Sequence, residues 1–418
     1  MMDETRPDGL VGALMAFEGV KGSITALNGP TGCKYYPASL SEAMTRRGGF
    51  NPMMHDSRFY LGQSRIPCTY MDLNDYVAGG RARMEELWQD CQTRSPSLLV
   101  LINSPGASLI GEVLEFEGGV PPTAMMESPP PSVTFSEGYE SAILAVLGAL
   151  RPLDASPEPM TVNLLGMSIA DLGWEDSLAD LRSLLEVCGI RVLAAPGAGC
   201  SVAELKDSGR AALNVMVHDE RCQRTAEWYR INHGIPCHRP SGGAPLGFGP
   251  LTEWLEGICS LLGADPGPGL VSIKEARRRA AREISRLDRY QGLPRGTSFS
   301  VSGSPSLVLP IVKTLHGYLG MVPVAVATSE DGPCTEQLES YLGDIGCGEA
   351  STDVLDCPAD VVIADGNTAA MVLARGLADN AVDIEAPSMV QVNIRSDPLL
   401  GIGGTQRLLD RCLQGLRR

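Results

Sequence analysis

Leu98-Leu99-Val100-Leu101-Ile102 is a continuous apolar run that stops abruptly at Asn103-Ser104-Pro105-Gly106. An unbroken apolar segment bounded by turn residues describes a strand buried on both faces, and such strands belong to parallel sheets covered by helices on either side. The pattern recurs at Thr161–Gly166, Ile190–Ala195, Ala212–His218, Ser298–Val301, Val322–Ala327, Asp360–Ala364 and Met389–Ile394. Helical segments are predicted between them, at Met84–Asp90, Ile110–Phe116, Glu137–Leu150, Leu251–Leu262, Ile273–Tyr290, Pro305–Tyr318, Thr335–Leu342 and Gly404–Leu416, with one more running up to Asn232. A further helix carries Leu178, Leu181, Leu184, Leu185 and Cys188 at helical spacing and stops at Gly189, a residue suited to the left-handed position after a helix.

Strands alternating with helices predict βαβ units. The expected architecture is α/β, with three successive doubly wound (Rossmann-like) parallel-sheet domains over 1–155, 156–268 and 269–418. The linker Arg151–Pro159 and the Pro/Gly-rich Asp265–Gly269 mark the breaks. In such sheets ligands bind outside the carboxyl ends of the strands. Cys33, Ser104 and His218 fall where sites are expected.

Gly29-Pro30-Thr31-Gly32-Cys33-Lys34 follows an apolar run punctuated by Gly12, Gly19 and Gly22. A cysteine next to two turn-forming glycines predicts a bent backbone near a surface, where a thiolate can reach a metal or a second chain. The chain has 12 cysteines, none spaced Cys-x-x-Cys. The acidic start Met1-Met2-Asp3-Glu4 shows no secretory signal, so the cysteines read as thiols or metal ligands and a cytoplasmic location is expected. A net charge of -16 argues against nucleic acid as a partner. No apolar run approaches the ~18 residues of a membrane span. Neither Gly-x-x-x-x-Gly-Lys-Ser/Thr nor Gly-x-Gly-x-x-Gly occurs, so any nucleotide energy is expected to come from another protein.

Several motifs line up in one order: Gly12–Gly19 with Gly29–Cys33; Pro67-Cys68 with Asp75-Tyr76-Val77-Ala78-Gly79-Gly80; Ser108-Leu109-Ile110-Gly111-Glu112; Val162–Gly166 with Gly189-Ile190; Gly234-Ile235-Pro236 with Pro245-Leu246-Gly247; and Pro398-Leu399-Leu400-Gly401 with Gly403-Gly404. The ordered set, covering nearly the whole chain, resembles the nitrogenase component 1 superfamily, which includes the molybdenum–iron protein subunits and the catalytic subunits of protochlorophyllide and chlorophyllide reductases. The resemblance implies an oxidoreductase component that works anaerobically, pairs with a second subunit and shares a [4Fe-4S] cluster at the subunit interface. It implies low-potential electrons from a separate ATP-dependent iron–sulfur reductase, with ATP used by that partner and not by this chain. The assembly expected is a homodimer or a heterotetramer with a paralogous component 1 subunit.

Family subunits that fully ligate their half of the cluster have three cysteines. Here Thr5–Gly9 has none and Ser104-Pro105 occupies the third place, so Cys33 alone is kept. The resemblance makes Cys33 a cluster ligand. Cys68 is a second candidate, because two thiols per chain in a homodimer complete a four-thiolate site; the alternative is a packed thiol. Ser104 is a weak oxygen ligand or a helix cap. His218 lies close to where the nitrogenase-type subunit carries its cofactor cysteine, and its imidazole could ligate a metal, donate a proton or orient a substrate; the alternative is a satisfied junction histidine. Cys237 and His238 are candidates for the same cavity. No histidine lies beyond His316, so the family's histidine ligand to the large cofactor has no match and dinitrogen reduction is not expected. The arginines Arg277, Arg278, Arg279, Arg282, Arg286 and Arg289 read as a solvated helix face. The expected activity is reduction of a small organic substrate, a tetrapyrrole or a carbon–sulfur compound. A non-catalytic scaffold for cluster or cofactor assembly remains the alternative, and a plain binding protein on a related fold a further one.

Overall fold

The computed structural model describes residues 7–44, 66–111, 116, 121–388 and 396–416. The chain opens with α1 (Gly9–Glu18), short β1 (Val20–Lys21), β2 (Ser23–Asn28) and α2 (Thr31–Met44). It continues with α3 (Leu73–Ala78), α4 (Arg81–Thr93), β3 (Leu98–Asn103), α5 (Pro105–Leu109) and β4 (Thr123–Met126). β2, β3 and β4 form a parallel sheet in that order, with Ser23 opposite Leu98 and Leu99 opposite Thr123. Every residue of β3 is buried, as its unbroken apolar run requires.

α6 (Phe135–Leu150) leads to β5 (Glu158–Leu165), α7 (Trp174–Glu186), β6 (Arg191–Ala194), β7 (Cys200–Ser201), α8 (Val202–Asp207), β8 (Ala211–Met216), α9 (Gln223–His233), β9 (Cys237–His238) and α10 (Phe248–Leu262). The second sheet runs β6-β5-β8-β9, all parallel. Then come α11 (Gly267–Gln291), β10 (Ser298–Gly303), α12 (Pro305–Leu319), β11 (Val322–Thr328), α13 (Pro333–Asp344), β12 (Ala359–Asp365), α14 (Gly366–Arg375), β13 (Ala378–Glu385) and α15 (Gly401–Gln414). The third sheet runs β11-β10-β12-β13, also parallel. In both four-stranded sheets the winding reverses beside the first strand, which opens a crevice at the carboxyl ends.

Most elements fall where the sequence places them, and the differences have local causes. Cys33 is not on a bent loop; it lies in the first turn of α2. The helix expected at Ile110–Phe116 is instead α5, started by Ser104 as N-cap and Pro105 at the first position, and ended at Ile110; residues 112–115 lie outside the described residues, as does the strand expected at Met389–Ile394. The outer strand of the third sheet is β13, whose sequence Ala-Asp-Asn-Ala-Val-Asp-Ile-Glu is half polar and so lacks the apolar run of a central strand. α11 begins at Gly267, where the Asp265 side chain accepts from the Gly267 amide at 2.9 Å. Its arginines are exposed.

Three contacts join the sheets. α1 packs along α6 so closely that a Cβ at Gly12 would run into the Phe135 carbonyl, and one at Gly138 into the Gly9 carbonyl. β1 pairs with β7, aligning Val20 with Cys200. The segment before α15 returns to α7, where Ser177 Oγ accepts from the Leu399 and Leu400 amides at 2.9 and 3.2 Å and Asp180 accepts from Gly403 at 2.7 Å. The Pro398–Gly404 motif is thus a clasp on the second sheet's helices.

Replacing Gly138 or Gly12 by Ala forces two backbones apart. Each is expected to cost about 1–3 kcal/mol, as overpacking does, read as a lower denaturation midpoint; an unchanged midpoint would show that the two helices do not meet this closely.

Candidate functional site: a thiol pair beside an inter-sheet cavity

The first sheet ends in polar side chains. Asn28 closes β2 and Asn103 closes β3; Asn28 Nδ2 donates to Asn103 Oδ1 at 2.9 Å, Thr69 Oγ1 donates to Asn28 Oδ1 at 3.0 Å, and Asn103 Nδ2 donates to Glu127 at 2.9 Å. This network fixes the loops that carry the thiols. Cys68 is fully buried and sits beside β2, bridged to Leu27 through hydrogen bonds of its neighbours Pro67 and Thr69. Cys33 is half-buried in the first turn of α2, where helix amides favour an anion. Gly29 is needed for close approach, since a Cβ there would strike the Ser104 side chain; at Gly32 a Cβ would meet open space.

Cys33, Cys68 and Ser104 are brought together. Burial raises the Cys33 thiol above its usual range, the neighbouring Cys68 and Asp8 add to that, and a hydrogen bond from Ser104 opposes it. Burial likewise raises Cys68, opposed by hydrogen bonding to the Tyr70 backbone, by Lys34 and by Thr31. Ser104 does both things the sequence allowed: its Oγ caps α5 by accepting from the Ala107 amide at 3.3 Å, and its hydroxyl supports the Cys33 thiolate. The elements around the thiols carry exposed apolar side chains, with Tyr35 of α2, Val77 of α3 and Leu109 of α5 exposed at 73%, 91% and 87%.

A cavity of about 550 Å³ lies where the carboxyl ends of the second and third sheets meet the start of α6. Its walls include Asp171 and Arg221 from the second sheet, Ser304, Asp365 and Glu385 from the third, and Asp8 and Phe135 from the first part of the chain. An antiparallel bridge between Asp171 and Glu385 closes one side. Arg221 is paired with Asp171, stands 5.3 Å over the Phe135 ring, and reaches Ser304 Oγ at 3.4 Å. Ser304 donates its amide to Glu385 at 2.9 Å. Burial raises the Glu385 carboxyl.

The thiol pair and the cavity adjoin. Asp8 acts on the Cys33 thiol and also lines the cavity, and Leu40 on the same helix as Cys33 lies in the cavity wall. Seven helical residues at ~1.5 Å rise put the two roughly 10 Å apart along α2.

His218 follows β8 and is 1% exposed. It stands behind the cavity wall, with Nδ1 2.7 Å from Ser306 Oγ and Nε2 3.9 Å from Asp171 Oδ2. Burial lowers its pKa to about 4, so the ring is neutral at ordinary pH. Cys237 and His238 form β9, with Asn214 opposite Cys237, and neither lines the cavity. Sequence reasoning stopped at His218 and passed over Asp219-Glu220-Arg221, Asp171 and Glu385. Three consecutive charged residues at a strand end, next to a switch point, were the available signal.

The chain therefore defines an α/β protein of parallel sheets with a thiol pair, one buried and one half-buried, beside an acid-lined cavity. Residues 9–417 match the family model described as nitrogenase component 1 type oxidoreductase, and the chain belongs to that family. It is 24% identical over 276 residues to a subunit of the light-independent protochlorophyllide reductase of Parasynechococcus marenigrum (strain WH8102), covering 61% of this chain and 49% of that one. The corresponding subunit of Roseobacter denitrificans (strain ATCC 33942 / OCh 114) matches at 24% over 261 residues, covering 61% and 48%. The chain spans about half the length of these relatives or less. In fold it is similar to a solved structure titled "Nitrogenase Cp1 at pH 6.5", with a TM-score of 0.77 at 14% identity, covering 99% of this chain and 93% of that one.

If the Ser104 hydroxyl stabilises the Cys33 thiolate, Ser104→Ala raises the thiol pKa further. Alkylation of Cys33 near neutral pH is then expected to slow about fivefold, the factor for ~1 kcal/mol of hydrogen bonding, as followed by mass spectrometry of the Cys33 peptide. An unchanged rate would place the hydroxyl elsewhere.

Proposed function

We propose that this chain is the catalytic component, or one subunit of it, of a nitrogenase-like reductase. It takes low-potential electrons from an ATP-dependent iron–sulfur reductase through a [4Fe-4S] cluster held at a subunit interface, and reduces an organic substrate in the cavity. The observation that carries this reading is the junction at Asp8, where the thiol site and the cavity share a wall.

The residues fit half of a cluster site. Cys33 and Cys68 supply two soft sulfur donors suited to iron, and Ser104 and Lys34 favour their thiolates. Among the described residues no group of three or more His, Cys, Asp or Glu side chains could hold a metal ion. The remaining ligands then come from a second chain, either an identical copy or a paralogous component 1 subunit. The apolar side chains around the thiols suit such a contact. When bound, the cluster supplies one-electron transfer at low potential.

The chain's own residues do the rest. Phe135 and the packed sheet ends keep the cavity partly apolar, while Arg221 and the carboxyl groups orient a polar substrate. The walls carry Asp8, Asp171, Glu330, Asp353, Asp365 and Glu385 against Arg221 as the cation. A polycarboxylate would be repelled there, so the geometry favours a neutral or cationic substrate, or one with a single acidic group met by Arg221. Of the two substrate classes, a carbon–sulfur compound or a tetrapyrrole with few carboxylates fits. His218 acts on the proton side of the reaction, from behind Asp171.

Iron and acid-labile sulfide measured on anaerobic protein test the reading. About two irons per chain are expected from a cluster shared across a homodimer, and Cys33→Ala is expected to lose them. If the partner is a paralogous subunit, the iron appears only on co-expression and is again lost in Cys33→Ala. A chain that binds no iron either alone or with that partner sinks the proposal. A cluster that is handed intact to an acceptor protein, with no substrate reduced, would favour the scaffold.

A further inference from the structure

Reduction of an organic substrate consumes a proton for every electron added, and the cavity lies at the meeting of two sheets. Its wall at Asp171 is backed by a row of buried hydrogen-bonding groups, of which the reading above uses only His218. His218 Nδ1 lies 2.7 Å from Ser306 Oγ, and Ser306 Oγ lies 2.9 Å from Glu220 Oε1. On the other side of the ring, His218 Nε2 points toward Asp171 Oδ2 at 3.9 Å and has no hydrogen-bond partner among the described residues. Glu220 belongs to a single 3₁₀ turn, Asp219–Arg221, that follows β8. Ser306 stands in the first turn of α12. The row thus crosses from the third sheet's helix to the second sheet's strand end and finishes at the cavity.

We propose that Glu220, Ser306 and His218 form a proton relay that feeds Asp171 on the cavity wall. This rests on the reading of the cavity as the substrate site. In the loaded state Glu220 is a carboxylic acid donating to Ser306 Oγ, Ser306 donates to His218 Nδ1, and the proton of the neutral ring sits on Nε2 facing Asp171. Delivery moves three protons by one place each. Asp171 takes the Nε2 proton, Nδ1 takes the Ser306 proton, and Ser306 takes the Glu220 proton. Asp171 ends as the acid beside the substrate and Glu220 ends as carboxylate, now accepting from Ser306. No electron moves along the row, and the ring never becomes a cation. The new Asp171 proton passes to the substrate after electron uptake. Reprotonation of Glu220, with exchange of the ring proton from Nδ1 back to Nε2 through water, resets the relay.

The electrostatics of the surroundings suit these states. Burial, aided by Asp219 and Glu330 and opposed by Arg221, pushes the Glu220 carboxyl up to about 8, which keeps it protonated near neutral pH. Burial and Arg221 hold the His218 ring neutral, against Asp171. The groups facing the row are Asp219 and Arg221 on the turn itself, Asp171 across the cavity wall, Glu330 after β11 and the Cys334 thiol on α13. Tyr139 and Glu140 on α6, the Cys222 thiol, Glu385 at the end of β13 and Arg239, which donates to Asp219 at 3.0 Å, also face it.

The test needs neither substrate nor cluster. The chain has 5 histidines, so ¹⁵N-histidine labelling gives few ring signals, and His218→Asn identifies the relevant pair. Between about pH 6 and pH 10 the protonated and bare nitrogens of His218 are expected to exchange resonances, from the Nε2–H form at low pH to the Nδ1–H form as Glu220 ionises. Glu220→Gln and Ser306→Ala are each expected to abolish the exchange. A tautomer that stays fixed through the titration in the natural chain overturns the relay and leaves the histidine a structural lock; so does an exchange that survives in Ser306→Ala. Because the wild-type titration stands alone, misfolding of either variant does not blunt it. Failure here leaves the cluster and cavity reading intact, and failure of iron binding leaves this titration unaffected.

Discussion

The buried ion pair between Arg221 and Asp171 is the interaction on which the centre of this molecule depends. A guanidinium taken out of water is costly unless it is matched by charge and hydrogen bonds. Arg221 finds Asp171, Ser304 and the face of Phe135, and Glu385 lies close enough to act on it. Those partners come from the loop after β5, the loop after β10, the start of α6 and the end of β13. Satisfying one side chain therefore fixes the relative placement of the carboxyl ends of two sheets and the helix joining them to the first. The cavity is the space left between these ends. Its shape and the pairing of Arg221 are one structural fact.

The same economy appears along the strands of every sheet. Each sheet has an apolar interior, and a polar side chain placed on it must find a partner inside the fold. Asn28 meets Asn103 in the first sheet, Asn163 meets Asn214 at 2.9 Å in the second, and Ser298 meets Asp360 at 2.7 Å in the third. The first of these pairs holds the loops that bring Cys33, Cys68 and Ser104 together. The thiol site is thus a consequence of how β2 and β3 end, and Cys33 gains the amides of a helix start because α2 begins directly after that closure.

Much of this was legible in the chain. Continuous apolar runs located the central strands, since burial on both faces leaves no room for polar residues. They could not locate β13, whose half-polar sequence carries no such signature. The resemblance pointed to Cys33 and Cys68, and Cys33 was expected near a strand end, but the two glycines just before it suggested a loop. Only Gly29 is there for close approach; Gly32 is an ordinary helical residue. His218 was visible as a histidine at a strand end. That it sits behind the wall, with Asp171 between it and the cavity, depends on three segments far apart in sequence, and no local pattern encodes such a meeting. Arg221 and Glu385 escaped for the same reason: each is one charged residue among many until its burial is known.

Under the proposed function the cavity has two distinct approaches. Electrons would enter from the side of α2, where Asp8 and Leu40 separate it from the thiols. Protons would enter from the opposite side, through Asp171. Separation has a physical reason. A reduced centre draws protons toward itself, so most proton carriers belong away from it. Around the thiols lie the Ser104 and Thr31 hydroxyls and Lys34, with Asp8 as the acid that acts on Cys33. The ionisable residues of the proton side are gathered across the cavity around Arg221, and burial keeps the histidine among them uncharged. An arrangement of this kind lets charge and proton meet in the substrate and nowhere earlier.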